Sequence, residues 1–125
     1  MSQSSVTSDE ILSSGHAWNG QPITHFPDGK PVFTVMKMVI EPHSALPWHT
    51  HPVPNTAYIL SGSLTIEDKA SGKTQTFRTG EAFNESVDLA HRGYTTDEQA
   101  ELIIFYAGVD NAELSVPLPG EEPEY

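Results

Sequence analysis

The chain has 125 residues, no cysteine, and 17 acidic against six basic residues, for a net charge of −11. That length suits one domain, and the lack of cysteine excludes disulfides, thiolate metal sites, iron–sulfur clusters and thiol nucleophiles. So few scattered cations cannot neutralise a run of phosphates, which argues against nucleic acid and anionic membranes as partners; metal cations and small neutral ligands suit the field better.

The N-terminus, Met1 to Glu10, is Ser-rich and has neither the basic cluster nor the apolar stretch of a signal peptide. No apolar run approaches the ~20 residues needed to cross a bilayer. A cytoplasmic location is the default expectation, although a removed leader would leave the same sequence. Residues 1–15 read as a flexible segment and 16–115 as one folded block. Residues 116–125, with three prolines and three glutamates, read as an arm or disordered tail.

Ser8 to Leu12 could form a single capped helical turn, and nothing else reads as helix. Trp18-Asn19-Gly20 looks like a turn anchored by a buried ring. Val32 to Ile40 is β-branched and apolar between two prolines, a strand signature. Thr56 to Leu60 is a short apolar run that ends at Ser61-Gly62. Leu64, Ile66 and Asp68 alternate with Thr65, Glu67 and Lys69, and Ala70-Ser71-Gly72-Lys73 turns the chain into a strand over Thr74 to Arg78. His91 to Thr95 and the strongly apolar Ala100 to Ala107 follow, separated by a turn at Thr96-Asp97-Glu98. Many short strands with close turns predict an all-β fold, an antiparallel sandwich or barrel.

Three of the six histidines stand out. His49 and His51 lie in Pro47-Trp48-His49-Thr50-His51-Pro52. In an extended segment a His-x-His pair presents both imidazoles on one face, ~6–7 Å apart along the chain. From there both can converge on one cation with bonds of ~2.0–2.1 Å. His91 opens a later strand. His16, His25 and His43 read as loop or surface residues. Glu85 shares a face with Phe83 and Val87 by alternation, so it could reach the pocket as a general base or orient a ligand imidazole; the neighbouring Asp88 is a second such carboxylate. Trp48, Tyr58 and Phe83 are candidate substrate-binding aromatics, and Tyr94, Phe105 and Tyr106 could line the same pocket or fill the core.

This pattern resembles the cupin superfamily over roughly residues 32 to 107. The first cupin motif, Gly, His-x-His, Glu, Gly, is met by His43 in place of the first Gly, then His49, His51, Asn55 in place of the Glu, and Gly62 in register. The second motif, Gly, Pro-x-Gly, His, Asn, is met by Gly80, then Ser86 in place of the Pro, Asp88 in place of the Gly, His91 in register, and Thr95 in place of the Asn. The resemblance implies a small double-sheet jelly-roll barrel, a homodimer whose N-terminal segment can be swapped between copies, and one divalent transition metal per chain (Fe, Mn, Ni or Zn). His49, His51 and His91 would be the ligands, with Asn55 either adding a weak carbonyl donor or making a neighbouring hydrogen bond. Three-His cupins include non-haem iron dioxygenases. Without the carboxylate ligand the metal would keep its 2+ charge and be a stronger Lewis acid.

Two function classes therefore stand side by side. One is a metal-dependent enzyme acting on a small organic molecule, a dioxygenase or a Lewis-acid isomerase or hydrolase. The other is a barrel that binds a small ligand or metal without turning it over. Either way, the reference imidazole pKa makes metal occupancy fall as pH drops through roughly 5–6.

Overall fold

The computed structural model describes residues 5–125. Met1 to Ser4, part of the segment expected to be flexible, lie outside the described residues. Among the described residues nine strands form two antiparallel sheets: β1 (Pro31–Ile40), β2 (His49–Thr50), β3 (Asn55–Ser61), β4 (Ser63–Asp68), β5 (Thr74–Arg78), β6 (Ala82–Asn84), β7 (His91–Tyr94), β8 (Ala100–Val109) and β9 (Val116–Pro117). One sheet runs β1-β8-β3-β6 and the other β5-β4-β7-β2-β9. No helix occurs among the described residues, and Ser8 to Leu12 forms no helical turn. The all-β expectation holds.

Period-two alternation explains the core. Leu64 and Ile66 of β4, Ala57 and Ile59 of β3, and Leu102, Ile104 and Tyr106 of β8 are buried, while their sequence neighbours face outward. Phe77 and Phe83 stack at 4.2 Å between ring centroids and close one end. Interleaved side chains from the two inner faces thus fill the barrel and need no metal to do so.

Gly62, the glycine in register with the first motif, has φ of +76°, and a Cβ there would lie 2.0 Å from the Gln99 carbonyl oxygen. Only glycine lets β3 turn into β4 beneath that carbonyl.

The strands that sequence did not reveal are the short ones, β2, β6 and β9, of two or three residues each. Such lengths carry too few side chains for a period to register. The C-terminal segment, read as an arm or tail, packs on the barrel: His49 pairs with Pro117 and Thr50 with Val116.

The outer face of the four-stranded sheet carries an apolar patch beside the Lys37–Glu101 ion pair. Phe33, Val35 and Val39 of β1 are exposed, and Phe33 lies 5.7 Å from Phe105 of β8, centroid to centroid.

Candidate metal centre

His49 and His91 sit directly opposite each other in the β2–β7 pair, which brings their side chains together across the ladder. His51 follows two residues after His49 on the same face. Pro52 restricts His51 to extended backbone, and the Asp88 amide donates to the His51 carbonyl at 2.9 Å. The loop before β2 is clamped to β7, with Leu46 N–H donating to the Gly93 carbonyl at 2.8 Å and Thr95 N–H to the Ser44 carbonyl at 2.9 Å. All three imidazoles are buried, with ring centroids 4.5 to 4.8 Å apart.

Backbone carbonyls set the tautomers. Nδ1–H of His49 donates to Pro47 O at 2.7 Å, that of His51 to Leu114 O at 2.8 Å, and that of His91 to Leu89 O at 3.0 Å. Each ring therefore turns Nε2 toward a common centre. The three candidate ligand atoms lie within 4.8 Å of one another, with His49 Nε2 and His51 Nε2 only 3.2 Å apart. His91 Nε2 is buried with no hydrogen-bond partner. With all three rings neutral, three lone pairs aim at one point and repel unless a cation stands among them. The donor set fits a divalent transition metal.

Two carboxylates join this cluster. Glu85 reaches both His51 Nε2 (Oε2, 3.1 Å) and His91 Nε2 (Oε1, 3.5 Å). Glu124, from the C-terminal segment, places Oε2 3.0 Å from His49 Nε2.

A family model described as "Cupin domain" matches residues 36–106, more than half of the chain. The chain is a cupin. Among solved structures, this cupin is similar to the DMSP lyase DddQ from Ruegeria pomeroyi (TM-score 0.63, 18% identity, 72% of this chain and 45% of that one). It is also similar to the polyketide cyclase RemF from Streptomyces resistomycificus (TM-score 0.60, 18% identity, 72% of this chain and 62% of that one). A third is a cupin-2 domain protein from Shewanella frigidimarina (TM-score 0.53, 17% identity, 74% of this chain and 83% of that one). The cupin thus spans less than half of the lyase chain and less than two thirds of the cyclase chain, and at these identities the likeness is one of fold. No curated protein sequence matches it.

The cupin's buried groups distribute protons unevenly. Burial, aided by the neighbouring His91 and His51, lowers the His49 pKa from 6.5 to about 4. Burial is also the largest influence on His51, but the charge and hydrogen bond of Glu85, the Leu114 carbonyl and Glu124 together outweigh it and raise its pKa to about 9. Burial opposes the ionisation of Glu85, yet His51 and His91 hold its carboxyl well below the usual range. Burial and the Glu85 charge push Glu124 up to about 7. His51 and Glu85 therefore form an imidazolium–carboxylate pair, while a proton on Glu124 is donated to His49 Nε2.

The other candidate residues have different surroundings. Asn55 is buried at the start of β3; its Nδ2 donates to Val53 O at 3.3 Å and its Oδ1 has no hydrogen-bond partner. Alternation turns Trp48 away from His49, and Lys69 and Arg92 stand over its ring at 4.6 and 4.4 Å. Tyr58 is on the outward-facing register of β3, between buried Ala57 and Ile59. Phe83 is in the core stack with Phe77. Asp88 is exposed, with φ of +60°. His16, His25 and His43 lie outside the cluster. The sequence reading missed Glu124 and Tyr125, whose hydroxyl bonds that of Tyr106; the Tyr106 ring is in turn 5.7 Å from His51. The available signal was Pro119-Gly120, a turn pair that folds the segment back.

Proposed function

We propose that this cupin binds one divalent transition metal (Fe, Mn, Ni or Zn) through His49, His51 and His91 and acts on a small organic molecule. The observation that carries the reading is the convergence of three buried Nε2 atoms whose Nδ1 atoms are all committed to backbone carbonyls. When bound, such a metal supplies Lewis acidity to an oxygen donor of the molecule. Glu85, beside two of the imidazoles and ionised, would then accept or return a proton during an isomerisation or hydrolysis. A dioxygenase reading uses the same three imidazoles, and a non-catalytic binding protein would need only the centre itself.

Elemental analysis of untagged protein purified without chelator tests the reading; near one transition metal per chain is expected, and none would overturn it. Oxygen uptake by the iron-loaded protein then separates the dioxygenase from the Lewis-acid reading.

The proton balance gives a second test. Metal binding requires unprotonated Nε2 atoms. At pH 8 His51 still holds a proton (pKa about 9) while Glu124 (about 7) and His49 (about 4) have largely lost theirs. Binding of Zn(II) at pH 8 should release about one proton per metal, read by calorimetry in buffers of different ionisation enthalpy. Apparent affinity should rise about tenfold per pH unit from 7.5 toward 9 and then level off. No proton release at pH 8 would remove His51 from the ligand set.

We further propose that the apolar outer face of Phe33, Val35 and Phe105 pairs two copies. Light scattering should give twice the chain mass for the wild type and one chain mass for Phe33→Glu; a monomeric wild type would overturn the pairing.

A further inference from the structure

Glu124 has unusual company for a residue of a Pro/Glu-rich terminal segment. Its side chain is only 4% exposed, one oxygen touches His49 Nε2 at 3.0 Å, and the other, Oε1, is buried with no hydrogen-bond partner. A buried carboxyl group with one oxygen unpaired is costly to ionise unless a cation faces it. The segment reaches this position by a defined path. Pairing of β9 with β2 is followed by a Leu118 N–H bond to Trp48 O (3.0 Å). A turn closed by Glu121 N–H to Leu118 O (3.0 Å) then reverses the chain. Pro119 and Gly120 (φ +85°) occupy the central positions that a type II turn requires. Beyond that turn, among the described residues, no backbone hydrogen bond between residues holds 122–125. The end of the segment is held by side chains, Glu124 on His49 and Tyr125 on Tyr106.

Glu124 and Tyr125 also border a cleft of about 440 Å³ whose other wall includes Met36, Met38 and Leu46. Glu124 therefore faces the histidine centre on one side and, on the other, an open cleft with an apolar wall that also carries Lys37, Glu41 and Ser44.

We infer that residues 118–125 form a displaceable strap, that Glu124 completes the histidine centre at rest, and that the ligand exchanging with it is a small monocarboxylate with an apolar body. This rests on the metal reading above and extends it to the ligand class. Charge balance selects the ligand class. Three neutral imidazoles, a 2+ cation, Glu85 and Glu124 sum to zero in a buried site. A monocarboxylate that takes the place of Glu124 preserves that sum. A neutral ligand leaves one uncompensated positive charge, and a dicarboxylate leaves a negative one; both are penalised by burial. The methionine-rich wall accepts an apolar body without demanding one shape.

The test uses the full chain as wild type, Glu124→Gln and Tyr125→Phe, with Zn(II) and butyrate as probes and butyramide as the neutral control. Glu124→Gln should bind Zn(II) about tenfold more weakly, and the zinc-loaded variant should bind butyrate about tenfold more tightly than the zinc-loaded wild type, because the internal competitor is gone. Tyr125→Phe, which loosens the strap without changing charge, should tighten butyrate severalfold and leave Zn(II) affinity within twofold. In the zinc-loaded wild type, butyrate but not butyramide should speed amide exchange over residues 118–125. If wild type binds Zn(II) and Glu124→Gln matches it within twofold for both probes, the strap is overturned and the metal reading stands. If wild type takes up no Zn(II), the metal reading falls and the strap with it.

Discussion

His91→Ala is expected to lower Zn(II) affinity by ~100-fold or more while the barrel stays folded. Loss of a group that merely orients a ligand costs 10–100-fold, and His91 would be a ligand itself. Its Nε2 is buried with no hydrogen-bond partner and with the Glu85 carboxylate 3.5 Å away, and among the described residues no further imidazole joins the cluster. The fold should survive because the core is built from Ile59, Leu64, Ile66, Leu102 and Ile104, none of which depends on the centre. Metal titration together with far-ultraviolet circular dichroism checks both halves. Zn(II) affinity unchanged in His91→Ala, with His49→Ala and His51→Ala behaving alike, would remove the site.

Glu85→Gln is expected to destabilise the metal-free protein by about 3 kcal/mol near pH 5.5, with the difference shrinking as pH rises. The folded-state pKa of His51 is raised from 6.5 to about 9. Its contribution is therefore fully present below 6.5 and is lost as pH rises through 9. Glu85 is shifted the other way, so its side of the interaction is present above its ordinary value of 4.5 and is lost only as pH falls through a lower folded value. The two shifts describe one pair, which is strongest between about 4.5 and 6.5. The rise of His51 from 6.5 to about 9 corresponds to about 3 kcal/mol at ~1.36 kcal/mol per pH unit. In Glu85→Gln, burial would leave His51 neutral when folded but protonated when unfolded, which penalises the folded state most at acid pH. Urea unfolding of chelator-treated wild type and variant at pH 5.5, 7.5 and 9 checks this. A difference that stays constant with pH would mean that the pair does not form.

This coupling also corrects the expectation drawn from ordinary imidazoles. The reference pKa puts metal loss at roughly pH 5–6, but a His51 held at about 9 by Glu85 brings proton competition into the neutral range. Sequence identified Glu85 as a carboxylate on the right face through its alternation with Phe83 and Val87. It could not say that both oxygens would reach two different imidazoles.

What the sequence determined by itself is whatever repeats over short distances. Alternation in 64–69 and 100–107, glycine and proline at the turns, and the His49-Thr50-His51 spacing are local, and side-chain direction in an extended chain follows from them alone. Those features reach the all-β class, the main strands and the shared face of two imidazoles. The family's motif order adds His91. Tertiary structure decided everything that depends on which distant segments become neighbours. The opposition of His49 and His91 across β2 and β7, the outward turn of Trp48 toward Lys69 and Arg92, and the return of Glu124 to His49 are of this kind. Glu124 is the clearest case. Its composition of prolines and glutamates reads as solvated chain, and no periodicity marks it otherwise. Its burial follows from β9 pairing and a Pro119-Gly120 turn that aims one carboxylate at three converging nitrogens. An attraction between buried charges exists only once the fold has removed water from around them, and no linear pattern encodes that.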